Sequence, residues 1–192
     1  MRLYEEFIKL TTLTPPLKAI VEWGCGGGAN AIHLAPKTEK YYGVDIAAAT
    51  LAECSKQLEG AGLPNFIPVL IDAAEPEKVT NLIPEASDLF LSTYVFEGFP
   101  SQKYGLRVLK LAYDLLRPQG MAIIQIKYST TDWKTKPITW NYQRNLGSMT
   151  TYRIEEFWDD SKKCGFTPKA VVLVTKQPLV TDERYAYFVL LK

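Results

Sequence analysis

Five residues, Gly24-Cys25-Gly26-Gly27-Gly28, constrain this chain more than any other feature. They follow a short apolar run, Lys18–Trp23, and precede a helical pattern with Ala31, Ile32, Leu34 and Ala35 on one face and Pro36 at its end. Glycines between a strand and a helix let the chain turn sharply, take positive φ and offer bare backbone to a ligand. The helix that follows aims its N-terminus at the same place. A tight turn with no ligand would use the same residues, so the flanking pattern has to decide.

That pattern alternates. Strand-like runs at Tyr41–Val44, Phe66–Ile71, Asp88–Thr93 and Met121–Lys127 are separated by helical stretches near Ala48–Glu59, Pro76–Leu82 and Gln102–Leu116, the last with Ser101 as its cap. Strand and helix in turn build βαβ units and a parallel sheet. After a helix at Arg153–Lys163, two runs, Ala170–Thr175 and Tyr185–Leu191, lie too close for a parallel crossover and are expected to pair antiparallel. The expected fold is α/β, a doubly wound and mostly parallel seven-stranded sheet with a C-terminal antiparallel hairpin. One domain spans residues 1–192, with a short N-terminal helix within residues 1–17; 192 residues leave little room for two cores. In such sheets ligands bind beyond the carboxyl ends of the strands, where the strand order reverses.

The strand ends carry the chemistry. Asp45 follows the second strand, 21 residues after Gly24, a spacing that suits a carboxylate accepting from ribose hydroxyls. Asp72 and Ala73 follow the third strand. Either aspartate alone is most simply a helix cap; nucleoside-reading features at three successive strand ends are harder to dismiss. Gly24, Gly26 and Ala29 also fit the dinucleotide fingerprint. Glu22, immediately before the loop, argues against a pyrophosphate, because its charge repels phosphate and attracts an ammonium or sulfonium group. No Tyr-x-x-x-Lys pair for hydride chemistry is evident.

With these residues in place, the sequence resembles the class I S-adenosylmethionine-dependent methyltransferases. Glu22-x-Gly24-x-Gly26-x-Gly28, Gly43-Val44-Asp45-Ile46 and Phe66–Asp72-Ala73 match the family's first three motifs in order. Asp88–Thr93 with Tyr94-Val95-Phe96-Glu97 resembles its fourth strand and active-site end. Leu115–Gly120 looks like the family's turn before the fifth strand, with Gln119 where glycine is common, and Glu155-Glu156-Phe157 through Phe166 resembles its approach to the last hairpin. The resemblance implies that S-adenosylmethionine lays its methionine portion on the backbone of Gly24, Cys25, Gly26 and Gly28, with Glu22 near the amino group. It implies Asp45 at the ribose, Ile46 packed on the adenine, Asp72 and the Ala73 amide at the adenine edge, and Ser92 and Thr93 at the methionine end.

For the methyl acceptor, Glu97 and Tyr94 are the candidates to orient or deprotonate it. A solvated loop carboxylate is an equal reading of Glu97, and Tyr94 reads equally as a pocket wall. His33, the only histidine, lies in the helix after the glycine loop and reads as structural or surface. The segment 128–152, with Trp133, Trp140, Tyr142 and Arg144, is either a substrate lid or a surface loop whose tryptophans tuck back onto the sheet.

Composition narrows the partners. Twenty-two basic against 21 acidic residues lack the excess that phosphate neutralisation needs, and the fourth strand does not end in the Asn/Asp-Pro-Pro-Tyr run of base methylases. A small or medium-sized acceptor is therefore expected over nucleic acid or protein. The alternatives are a macromolecular acceptor, or a non-catalytic cofactor-binding subunit; the short stretch before the first strand leaves room for a protein partner that completes the site. Three dispersed cysteines and one histidine offer no zinc spacing, no apolar run is long enough to span a membrane, and no signal peptide is visible. These point to a cytoplasmic protein with reduced thiols and no metal.

Overall fold

A computed structural model describes residues 2–11, 13–138, 149–173 and 184–192. The strands are β1 (Leu17–Trp23), β2 (Thr38–Asp45), β3 (Phe66–Leu70), β4 (Ser87–Ser92), β5 (Leu116–Lys127), β6 (Thr167–Leu173) and β7 (Tyr185–Leu191). The helices are α1 (Arg2–Ile8), α2 (Ala31–Leu34), α3 (Ala48–Gly60), α4 (Val79–Leu82), α5 (Gln102–Leu115) and α6 (Ile154–Lys163). One seven-stranded sheet runs in the order β3-β2-β1-β4-β5-β7-β6. β1 to β5 are parallel, β7 is antiparallel to β5, and β6 pairs antiparallel with β7 at the edge, which is the expected fold class. The order reverses between β1 and β4, so a crevice opens beside the glycine loop.

Side-chain alternation explains why the sheet is covered on both faces. Ile20, Tyr41, Leu89, Leu91 and Ile123 point to one side and pack under α1, α2 and α3. Val21, Trp23, Tyr42, Val44, Phe90 and Ile124 point to the other and pack against α4, α5 and α6. β4 is buried along its whole length, with an apolar centre, Leu89–Leu91, between Ser87-Asp88 and Ser92. Ser101 caps α5 by accepting from the Tyr104 amide at 3.2 Å, and Val108, Leu109, Ala112 and Leu115 form the buried stripe of that helix.

Two local expectations change. β5 starts at Leu116, five residues before Met121, because Pro118–Gly120 forms an irregularity inside the strand. Gln119 takes φ +63° there, its amide donates to the Lys192 carbonyl at 3.0 Å, and the Lys192 amide donates back to Gly120 at 3.0 Å. Pairing on both sides keeps the irregular residues within the strand, and Pro118, lacking an N–H, sits where the ladder is disturbed. Pro36 likewise does not end the helix; α2 continues as a 3₁₀ turn over Ala35–Lys37 with Pro36 in it.

Residues 128–138 and 149–152 are stitched to the sheet rim. Ser129 donates to Tyr152 at 2.9 Å, Tyr152 to Lys127 at 3.1 Å, and the Thr151 hydroxyl to Thr135 at 3.1 Å. Trp133 does not tuck back onto the sheet; it is 73 % exposed. Trp140, Tyr142 and Arg144, and the turn residues Gln177-Pro178 and Thr181-Asp182, lie outside the described residues. Among the described residues no helix is long and apolar enough to cross a membrane, and no cluster of three metal-binding side chains is present.

Candidate functional site

A cleft of about 440 Å³ opens at the carboxyl ends of β1, β2 and β4. Trp23, Val44 and Ile71 form its floor, and Gly24 and Gly26 present backbone to it. Gly24 has φ +76° and donates to the Val44 carbonyl at 2.7 Å, so the loop folds back over the end of β2. A Cβ on Gly26 would meet nothing within 4 Å, which leaves that stretch of backbone bare to a ligand.

Asp45 stands at the rim. Its Oδ2 accepts from the Gly26 amide at 3.3 Å and its Oδ1 from the Ala47 amide at 3.0 Å. Two backbone donors fix the carboxylate while leaving it further acceptor capacity, which suits a pair of vicinal hydroxyls. Ile46, 59 % exposed, offers an apolar shelf beside it, and Val95, Phe99 and Pro100 form the opposite wall. Ala73 closes the far end, where its carbonyl accepts from the Tyr104 hydroxyl at 2.8 Å. Asp72 does not line this cleft; its exposed carboxylate accepts from the Ala74 amide at 2.8 Å.

Glu22 is brought to the loop but stands behind it, 1 % exposed. Strand alternation points it to the same face as Ile20, and there its Oε2 accepts from the Tyr41 hydroxyl and its Oε1 from the Asn30 amide, both at 2.7 Å. Asn30 also donates to the Thr93 hydroxyl at 3.0 Å, so one buried carboxyl ties β1, β2, the glycine loop and the end of β4 together. Burial pushes the Glu22 carboxyl up to about 7 from 4.5; the Asn30 and Tyr41 bonds oppose this, and the Asp45 charge adds to it. The native state therefore holds a proton that the unfolded chain releases, and stability falls as pH rises from about 4.5 to about 7. Glu22→Gln is expected to remove that slope and to raise stability at pH 8 by up to about 3 kcal/mol. Urea unfolding of both proteins at pH 5 and pH 8 checks it; parallel pH dependence in the two would show that Glu22 titrates normally.

The other site candidates divide. Cys25 is a free, buried thiol hydrogen-bonded to the Cys54 thiol; that hydrogen bond and burial hold it well above the ordinary range, so it is a packing residue and not a nucleophile. Gly28 is buried against Cys54 and Leu58 and sets the spacing of the loop on α3. Ser92 is fully buried, donating to the Trp23 carbonyl at 3.2 Å, and does not reach the cleft. Thr93 lines a separate small cavity.

Tyr94 and Glu97 both line the cleft. Tyr94 takes φ +59°, an uncommon conformation for a bulky residue, and its amide donates to Gln125 at 3.0 Å. Its ring is 51 % exposed and packs edge-on against Tyr185 with centroids 5.1 Å apart. Glu97 is 4 % exposed, on a 3₁₀ turn held by the Thr150 amide donating to its carbonyl at 3.0 Å. Among the described residues its Oε2 has no hydrogen-bond partner. Burial raises the Glu97 pKa, while its own backbone, the Lys127 charge and a bond from Tyr185 work against this. Asn30, Tyr104, Lys127 and Tyr185 escaped the sequence reading. Asn30, just ahead of the helix, is a readable capping position, but it makes no cap and turns to Glu22 instead.

The architecture has a known counterpart. Residues 21–124, more than half of the chain, match the model of the methyltransferase domain. The chain belongs to the methyltransferase family. Its fold and motif order are those of the class I branch, whose methyl donor is S-adenosylmethionine. This methyltransferase superposes on N-methyltransferase NodS from Bradyrhizobium japonicum WM9 in complex with S-adenosyl-L-homocysteine, with a TM-score of 0.72, 14 % identity, and 99 % of this chain and 85 % of that one covered. An rRNA methylase from Streptococcus thermophilus gives 0.64 at 16 % identity, covering 100 % and 96 %. TehB from Haemophilus influenzae gives 0.74 at 18 % identity, covering 100 % of this chain and 62 % of that one. At these identities the likeness is one of fold. No curated protein matches the sequence.

Proposed function

We propose that this methyltransferase moves the methyl group of S-adenosylmethionine to an oxygen or nitrogen of a small or medium-sized acceptor, with Glu97 as the base. The observation that carries the reading is the Oε2 of buried Glu97, without a partner among the described residues, in the same cleft as the bare Gly24–Gly26 backbone and Asp45. A buried carboxylate oxygen with no partner is costly and persists where a ligand group meets it. The cofactor's residues fit: Gly24 and Gly26 for the amino-acid backbone, Asp45 for the ribose, and Ile46, Val95 and Ala73 for the adenine. Glu22 supports this loop from behind through Asn30 and Tyr41.

Bound there, the cofactor would supply a methyl group activated by positive sulfur, with sulfur as the leaving atom. The protein's part is positioning, which can supply up to about 7–11 kcal/mol, and proton removal. Tyr94 forms the exposed ledge on which an acceptor rests, and Glu97 takes the proton that the acceptor loses as its lone pair engages the carbon.

Calorimetric titration with S-adenosylhomocysteine, with NAD as a parallel control, tests the cofactor assignment. Binding of the first alone supports it; binding of NAD alone overturns it. Asp45→Ala is expected to weaken S-adenosylhomocysteine binding at least tenfold, since hydrogen bonds to a charged group are worth about 1.5–3 kcal/mol. Unchanged affinity would remove Asp45 from the site. Label from methyl-labelled cofactor trapped on protein or RNA, and not on small molecules, would replace the small acceptor with a macromolecular one.

A further inference from the structure

Resting on the cofactor reading above, we infer that the Tyr104 hydroxyl, in place of Asp72, accepts a hydrogen bond from the exocyclic amine of the cofactor's adenine. Asp72 holds the position that the motif order assigns to this contact, but its exposed carboxylate is turned to the Ala74 amide at 2.8 Å and does not line the cleft. Tyr104 does line it, at the end that Ala73 closes, and its hydroxyl donates to the Ala73 carbonyl at 2.8 Å. A phenolic hydroxyl has a single proton and further acceptor capacity. With that proton committed to Ala73, the oxygen can only accept. Burial holds the hydroxyl above its ordinary range, with the Arg107 charge opposing and the Glu77 and Asp72 charges adding, so the proton stays in place at neutral pH. Such an oxygen meets the N–H of an amino-substituted ring and finds no partner on a ring that lacks the amine.

The tyrosine is held before any ligand arrives. Ser101 caps α5 by accepting from the Tyr104 amide, which fixes the residue in the first turn of the helix. Phe99 packs on its ring with centroids 4.9 Å apart at a 57° tilt. Arg107, one turn on, stands 5.4 Å from the ring centroid and is itself gripped by Glu77 at 2.7 and 2.8 Å. Its Nη2 also donates to the Ala74 carbonyl at 3.3 Å. Tyr104 and Arg107 therefore tie two successive carbonyls, Ala73 and Ala74, to α5, and the segment after β3 keeps a fixed distance from the phenol oxygen. An acceptor already in place needs little further ordering when a ligand binds. Asp72 would first have to turn from the Ala74 amide to reach the cleft.

Calorimetric titration with S-adenosylhomocysteine and with its analogue carrying unsubstituted purine in place of adenine isolates the amine. The parent protein is expected to bind the purine analogue at least fivefold more weakly. Tyr104→Phe keeps the ring against Phe99 and loses only the hydroxyl. It is expected to weaken S-adenosylhomocysteine binding about five- to tenfold and to cut the preference for the amino-substituted ring at least threefold. Asp72→Asn is expected to leave both affinity and preference within twofold. Equal weakening of the two ligands by Tyr104→Phe overturns the inference, since the hydroxyl would then serve only to hold Ala73. A preference that survives Tyr104→Phe and vanishes in Asp72→Asn overturns it too, by returning the amine to the carboxylate. So does a parent protein that binds the two ligands equally, with no variant needed. A parent protein that binds neither sinks the cofactor reading itself, and the inference falls with it.

Discussion

Gly24→Ala is expected to lower S-adenosylhomocysteine affinity at least a hundredfold and to destabilise the fold by about 2–5 kcal/mol. Two costs add. Gly24 sits at φ +76°, where a Cβ costs roughly 1–2 kcal/mol. That Cβ would also stand 2.4 Å from Cγ2 of Val95, with Cγ1 at 3.3 Å and Cβ at 3.4 Å. Relief requires Val95 to leave its rotamer, turning its Cβ hydrogen toward the new methyl, or the backbone of residues 94–96 to retreat. This is overpacking of a well-filled contact, at about 1–3 kcal/mol. Either way Val95 moves in the cleft wall, and a backbone retreat carries Tyr94 and Glu97 with it. Gly26→Ala is the comparison: its φ is +52° and its Cβ would meet no protein atom, so only the backbone cost applies to the fold. Thermal melting and calorimetric titration of both variants check this. A Gly24→Ala protein that binds as the parent does would mean that the loop is not held in place by Val95.

The contrast between the two glycines shows what is legible from sequence and what is not. A glycine-rich strand-to-helix turn, with Asp45 and Ala73 at the next two strand ends, can be read directly, because each lies within a few residues of the strand that positions it. The same locality makes the two sheet faces readable, and Glu22 with them. Its even register with Ile20 sends it under the α1–α3 side, away from the Trp23 face that floors the cleft. Contacts that depend on strand order are not local. Lys127 and Tyr185 approach Glu97 because β7 inserts between β5 and β6, and hydrophobic periodicity alone does not rank neighbours in a sheet. Tyr104 reaches Ala73 across 31 residues for the same reason, through the docking of α5. Asp72 lies at the expected strand end with its side chain turned to the Ala74 amide two residues on, a choice that short polar side chains make wherever an amide is within reach. Ser92, by contrast, donates to the Trp23 carbonyl on the neighbouring strand β1, a contact that depends on strand order.

Glu97→Gln is expected to lower kcat by about 10²–10⁴-fold with an acceptor that must lose a proton during attack, and at the same time to raise the melting temperature near neutral pH. The two signs follow from one cause. Burial holds the Glu97 carboxyl above its ordinary range, opposed by its own backbone, the Lys127 charge and the Tyr185 hydrogen bond. As a base it works only when ionised, so activity rises with pH through this raised value, and the acid limb of kcat/KM lies above the usual carboxylate range. For stability the same shift acts in reverse. The native state keeps the proton longer than the unfolded chain does, so stability falls as pH rises from the ordinary carboxylate value through the raised one. Glutamine has nearly the same shape, cannot ionise, and removes both effects: the acid limb disappears and the stability penalty at neutral pH goes with it. Slower turnover in a more stable protein separates lost chemistry from damaged structure, since a variant that merely loosened the cleft would lose both. Glu97→Asp keeps the charge but withdraws it from the cleft, and is expected to restore the acid limb at reduced kcat. Unchanged kcat in Glu97→Gln would release Glu97 from proton transfer and leave positioning as this methyltransferase's contribution to the rate.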